Sequence, residues 1–235
     1  VSCDVYFYQL GNMLGVDGIS EMARAMRVPE KTGIDLPQEK AGQVPDSKYM
    51  DKRYGQGKWS RGAALNMAIG QGEDLLTPLE LASMTASLAT GKVPRVHVVQ
   101  SVSQAVDEKP VPIDTTPRAQ LDLPPEALAV ARLGMEAVVD GGEGTGHRAR
   151  VDSVAVAGKS GSAQNAGKLT HALFVCYAPA DDPRIAVAVI LEERGHGGQV
   201  AAPVAQSPPA NTPGMLLIIV ASSMAMCPHL LSVRW

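Results

Sequence analysis

Apolar residues spaced three and four apart dominate the chain up to about residue 139, whereas alternation and short apolar runs dominate residues 151–191. Val5, Tyr6, Phe7, Leu10, Met13 and Leu14 predict the apolar face of a first helix. Residues 19–26 predict a second, ended by Pro29 and a turn at Gly33. Thr77, Pro78 and Glu80 stand where a helix start needs a capping hydroxyl, a first-turn proline and a carboxylate. A helix follows through Leu79, Leu81, Ala82, Met84, Ala86, Leu88 and Ala89 to Gly91, and its small residues suit a deep position. Residues 125–139 return to helical spacing. Val154 and Val156 then alternate with Ala155 and Ala157, which predicts a strand entering G-K-S-G-S. Residues 172–177 and 185–191 predict two more strands, joined through A-P-A-D-D-P, a hairpin turn.

The polar stretches between these elements read as connections. Residues 39–61, rich in Gly, Lys and Tyr, with Trp59 near the end, predict a long surface loop bordering a binding site. Residues 93–99 predict a short strand, and residues 101–125, with five prolines, a path over the surface. G-G-E-G-T-G at 141–146 predicts a loop leading to the central strand. The fold class is therefore α+β: a helical part over about 1–139, an antiparallel sheet over about 151–191, and a cleft between them along the K-S-G strand.

Composition narrows the chemistry. A chain of 235 residues, 45% hydrophobic, can bury the core of one ordinary domain or two small ones. Its formal charge of -3 comes from 21 basic and 24 acidic residues spread along the chain, which gives no nucleic-acid footprint. Cys3, Cys176 and Cys227 lack C-x-x-C spacing, so neither a disulfide framework nor a zinc knuckle is signalled. Cys176 reads as a small core residue and Cys3 as a buried thiol. His147, His171 and His196 are not spaced as a metal site. There is no N-terminal signal segment, and the chain opens as if inside an element, so a fragment is expected.

Lys159 is the only charge in V-A-V-A-G-K-S-G-S-A-Q. Beside Ser160 and Ser162 it can hold a carboxylate or ease proton transfer at a hydroxyl, and the strand edge can take an extended peptide. A phosphate-binding P-loop would need glycine at 153, which is Ser153. G-G-E-G-T-G follows a helix and precedes a strand, the reverse of a dinucleotide fingerprint. Gly70-Gln71-Gly72 has no strand before it and reads as a turn. Asp35, in T-G-I-D-L-P, reads as a turn or cap carboxylate, and Ser2 or Asp4, taken alone, as a helix N-cap.

K-S-G-S-A-Q, followed by H-A-L-F-V-C-Y-A-P (171–179) and P-R-I-A-V-A-V-I-L-E (183–192), resembles the end of a penicillin-binding protein transpeptidase domain. T-G-I-D-L-P (32–37), A-I-G-Q-G (68–72) and T-P-L-E-L-A (77–82) extend the resemblance over about residues 1–205. S-C-D at 2–4 matches the S-x-D form of the second motif and favours the class B elongation-type branch, similar to penicillin-binding protein 2.

The resemblance implies the fold shared with serine β-lactamases and a peptidoglycan D,D-transpeptidase that cross-links stem peptides through an acyl-serine and binds β-lactams. It assigns proton transfer to Ser2, Asp4 and Lys159, and substrate binding to Ser160, Gly161, Ser162 and Gln164. The Ser162 N–H supplies half of an oxyanion hole, with no cofactor or metal. Asp4 stands where Asn is usual; ionised Asp only accepts hydrogen bonds, so a nearby lysine must balance it. Implied partners are stem peptides, β-lactams and cell-wall elongation proteins. The implied location is the outer face of the cytoplasmic membrane, anchored by an N-terminal segment absent here.

No serine in the chain has a lysine three residues on, so the S-x-x-K nucleophile is missing. The domain is expected to be incomplete, inactive and poorly soluble alone. A serine β-lactamase or penicillin sensor of the same fold, and a non-catalytic peptide-binding remnant, remain as alternatives. Residues 206–235 depart from the family, which continues into a closing helix. Here S-P-P-A-N-T-P leads into an apolar run too short to span a bilayer, either a substitute packing element or a shifted reading frame.

Overall fold

The first apolar pattern builds α1, Asp4–Ala25, in the computed structural model, which describes residues 2–103, 108–164 and 167–206 together with the backbone of 216–222 and 231–234. The two helices expected here are the two parts of α1: Gly15 takes φ 66° and ψ 176°, a non-helical conformation that breaks the span at a kink, so two helical segments meet there. Cys3 is the N-cap residue and receives no side-chain cap bond, so neither Ser2 nor Asp4 caps α1. Cys3 is also exposed, contrary to the buried thiol expected, because the packing of α1 lies further along, at Gly11 and Val16. A Cβ on Gly11 would lie 2.5 Å from the Ala68 Cβ and 2.8 Å from the Ala64 oxygen, so glycine lets α3, Gly62–Ala68, approach closely.

The loop expected over 39–61 contains a helix, α2, Ser47–Tyr54. Its Asp46 side chain caps the Tyr49 N–H at 2.9 Å. Only Met50 of α2 is buried, so there was no apolar stripe to read. Trp59 donates to Asp51 at 2.7 Å and pins the following segment to α2.

In α4, Pro78–Thr90, both bonds of the expected capping box form: Thr77 N–H to Glu80 at 2.7 Å and Glu80 N–H to Thr77 Oγ1 at 3.2 Å. Gly91 closes it in the left-handed region at φ 75°. Of the strand expected over 93–99, only β1, Lys92–Val93, pairs in a ribbon, with β4, Ala119–Gln120; past Val93 the register breaks, and the Arg118 N–H turns to the Val93 carbonyl at 2.8 Å. Asp35 caps the Val98 and Val99 amides at 2.7 and 2.9 Å, the role read for it from the sequence. β2, Ser101–Val102, and β3, Val111–Pro112, form a second small ribbon before α5, Pro125–Asp140.

The meander is as expected: β5, Ala157–Ala163, pairs antiparallel with β6, His171–Ala178, and β6 with β7, Ile185–Leu191. β5 begins at Ala157 rather than at residue 154, because Val151 and Val154 bridge each other in a tight turn and leave the ladder to start afterwards. Alternation assigns the faces. Phe174, Cys176, Val187 and Val189 pack with Val139, Ala149 and the short helices α6, Gly197–Val200, and α7, Ala202–Ala205. On the other face Ala157, Tyr177, Ala186 and Ala188 meet Ala82, Ala86 and Ala89 of α4; alanine on both sides lets helix and sheet approach closely.

β8, Leu216–Ser222, lies parallel to β7, and β9, Leu231–Arg234, pairs antiparallel with β8, giving the order β5-β6-β7-β8-β9. The crossover through α6 and α7 is what a parallel neighbour requires. β8 covers the edge of β7 that three strands alone would expose, and among the described residues β5 remains an edge. Cys227 lies outside the described residues.

Candidate active site

At the free edge of β5, the Lys159 ammonium donates to Ser2 Oγ at 3.0 Å and to the Ser160 carbonyl at 2.6 Å. The first contact joins residues 157 positions apart, from the entry to α1 and from the sheet. Lys159 as a residue is exposed, but its ammonium end is withdrawn between these partners. That desolvation holds its pKa below the usual lysine value, while the charge of Asp4 in the first turn of α1 pulls the other way.

Ser160 and Ser162, two apart on a strand, face the same side and line a cavity of about 480 Å³ with Ser2, Thr145, Arg148 and His196. Both hydroxyls are supported from behind. Ser160 Oγ shares a hydrogen bond with Thr145 Oγ1 at 2.7 Å. Ser162 Oγ accepts from the Gly197 N–H at 3.3 Å and lies 3.4 Å from His196 Nδ1. Gly197 makes this possible: a Cβ on it would sit 2.1 Å from the Leu173 oxygen and 2.2 Å from the Gly161 oxygen. The H-G-G segment is thereby seated against the K-S-G strand.

Gln164 lies further along the same edge. Its N–H donates to Gln71 Oε1 at 3.2 Å, and Gln71 Nε2 donates to the Ser162 carbonyl at 3.0 Å. Gln71 thus joins the loop between α3 and α4 to the sheet.

The residues singled out from the sequence therefore meet along one edge: Ser2, Ser160 and Ser162 lining the cavity, Lys159 bonded to Ser2, Gly161 between the two serines, Gln164 further along, and Asp4 acting through its charge. Gln71, Thr145 and His196 were missed as members of this group. Their only local signals were G-Q-G, G-T-G and H-G-G, which read as turns until the sheet places them. Chemically, the arrangement offers a cation, hydroxyl donors and an unpaired strand edge, a set able to hold a terminal carboxylate on an extended peptide. Among the described residues no cluster of His, Cys, Asp and Glu could hold a metal, and no helix is long and apolar enough to cross a membrane.

The family model for the penicillin binding protein transpeptidase domain matches residues 1–207. The chain is 36% identical over 219 residues to the peptidoglycan D,D-transpeptidase MrdA of Acinetobacter baumannii, covering 86% of this chain and 32% of that protein. It thus spans about a third of the length of the curated relatives it matches. The solved structure of Pseudomonas aeruginosa PBP2 in complex with WCK 5153 is 37% identical with a TM-score of 0.73, over 86% of this chain and 45% of that one. PBP2 of Helicobacter pylori in complex with MreC is 32% identical with a TM-score of 0.63, over 77% of this chain and 32% of that one. With a fold, a motif order and a sequence match that agree over most of its length, the chain belongs to the penicillin-binding protein transpeptidase domain family, in its PBP2-like branch.

Proposed function

We propose that this chain is the C-terminal portion, about residues 1–205, of a peptidoglycan D,D-transpeptidase, followed by an atypical tail at 206–235. The observation that carries the reading is the 3.0 Å contact between Lys159 and Ser2 at the edge of β5, beside two supported hydroxyls. In this reading an S-x-x-K serine, absent from these residues, attacks the carbonyl between the last two D-alanines of a stem peptide. Its proton passes through a network that includes Ser2 and Lys159 to the leaving amine of D-alanine, while Asp4 balances the lysine's charge. An amine of a neighbouring strand then attacks the acyl-serine and releases the serine.

The Ser160 and Ser162 hydroxyls hold the terminal carboxylate. Gly161 stands between them against Gly197 of the H-G-G segment, and Gln164 continues the peptide-binding edge. The Ser162 N–H faces the developing oxyanion, a position where loss of one donor costs about 10²–10³ in rate. Without the nucleophile the chain alone forms no acyl-enzyme. For the longer protein we propose an envelope location on the outer face of the cytoplasmic membrane and, since the Helicobacter pylori relative was solved with MreC, an elongation partner of that kind.

The test is the fate of diacetyl-L-lysyl-D-alanyl-D-alanine with the longer protein and an excess of glycine as acceptor. Release of D-alanine with transfer of the acyl group to glycine is expected. Release with hydrolysis alone would favour a carboxypeptidase, and rapid turnover of penicillin a β-lactamase.

A further inference from the structure

We propose that Gln71 is a stand-in for substrate backbone: its side-chain amide occupies the β5 edge where a peptide adds, and a substrate N–H displaces it from the Ser162 carbonyl. The proposal rests on the transpeptidase reading and deepens it.

The geometry is that of a strand residue. A residue beside a parallel strand donates its N–H to the carbonyl of one residue on that strand and accepts from the N–H of the residue two further on. Gln71 does this with one side-chain amide: Nε2 donates to the Ser162 carbonyl at 3.0 Å and Oε1 accepts the Gln164 N–H at 3.2 Å. Both groups point outward from an edge strand, so no strand of the described residues competes for them. Gly70 and Gly72 flank Gln71 in the left-handed region, at φ 71° and 75°, so a tight turn presents this side chain to the strand.

A collision with substrate follows. If the Ser162 N–H receives the acyl carbonyl, the residue that carries this carbonyl faces Ser162, and its own N–H must find the Ser162 carbonyl. Gln71 Nε2 is already there. Substrate therefore exchanges one neutral hydrogen bond for another, and the Gln164 N–H can keep Gln71 tethered during the exchange. Gln71 becomes a specificity-determining residue: an amide ligand must displace the Nε2 bond to use the carbonyl, whereas a ligand without that N–H leaves the bond in place, so the side chain narrows the amide's advantage.

The experiment uses the longer protein that carries the S-x-x-K serine. Labelling by fluorescent penicillin is competed with diacetyl-L-lysyl-D-alanyl-D-alanine and with its analogue in which D-lactate replaces the penultimate D-alanine, so that an ester oxygen replaces the N–H. The readout is the ratio of amide to ester affinity. Removing the competing amide in Gln71→Ala should raise that ratio about two- to ten-fold, the range of one net hydrogen bond. Gln71→Glu keeps an acceptor for the Gln164 N–H but has no donor for the Ser162 carbonyl, and should raise the ratio likewise. A purely structural role would weaken both ligands together. A ratio unchanged or lowered in both variants, with the unsubstituted protein labelled normally, overturns the proposal alone. An unsubstituted protein that penicillin does not label overturns the transpeptidase reading and this proposal with it.

Discussion

Lys159 is pulled in two directions: withdrawal of its ammonium from water lowers its pKa below the usual lysine value, and the charge of Asp4 raises it, with the first effect larger. If its positive charge serves acylation, penicillin labelling of the longer protein falls on an alkaline limb that begins below the ordinary lysine value of 10.5. Lys159→Arg should move that limb upward, because a guanidinium stays charged, while Lys159→Ala should lower the labelling rate about 10²–10⁴-fold. A limb unmoved in the Arg variant would assign it to another group. Asp74 carries a second pH signature, in the neutral range. Its Oδ1 is buried without a partner among the described residues, and desolvation pushes the carboxyl up to about 7. With the folded pKa above the unfolded 3.8, the folded chain binds more protons between these values, so stability falls as pH rises through about 7. Asp74→Asn should therefore be more stable than the parent at about pH 8, by about 1–2 kcal/mol after allowance for solvent reaching this partly exposed group, with the gap closing near pH 4. Urea unfolding at the two pH values checks this, and an equal gap at both would contradict it.

At the scale of elements, what could be read in advance depended on how local the cause is. The start of α4 is written in four consecutive residues, Thr77 to Glu80, and both bonds form. α2 has an equally local cap in Asp46, yet with Met50 as its only buried residue it shows no apolar period. The entry to β5 misled differently: Val154 and Val156 alternate as a strand does, but a turn bridging Val151 and Val154 takes them out of the ladder. Gly158 inside β5 answers to a neighbour on β6, since a Cβ there would lie 2.7 Å from the Phe174 ring. The H-G-G segment has the same kind of distant cause. Gly197→Ala would set a methyl 2.1 Å from the Leu173 oxygen, so the segment must lift from β5 and take the Gly197 N–H from Ser162. We expect a fall of at least several degrees in melting temperature and a loss of penicillin labelling in the longer protein, whereas Gly195→Ala, which meets nothing within 4 Å but sits at φ 93°, should cost stability with less effect on labelling. Equal effects on labelling would remove the H-G-G segment from the site.

For the whole molecule, the sheet is the device that brings distant motifs together. Ser2 and Lys159 could be paired from the family pattern, because each sits in a short motif. Gln71 could not, since its partners lie 91 and 93 residues away and only the placement of the α3–α4 loop against β5 joins them. The tail was equally opaque: an apolar run of that length reads as strand or helix, and its parallel pairing with β7 depends on the crossover through α6 and α7. The central claim concerns this assembled edge and the nucleophile it lacks. Its most direct measurement is labelling by fluorescent penicillin of the 235-residue chain beside a version extended upstream through the S-x-x-K serine. Labelling of the extended version alone is predicted, with the adduct on that serine. Labelling of the shorter chain by itself, or no labelling of a folded extended version, would contradict it.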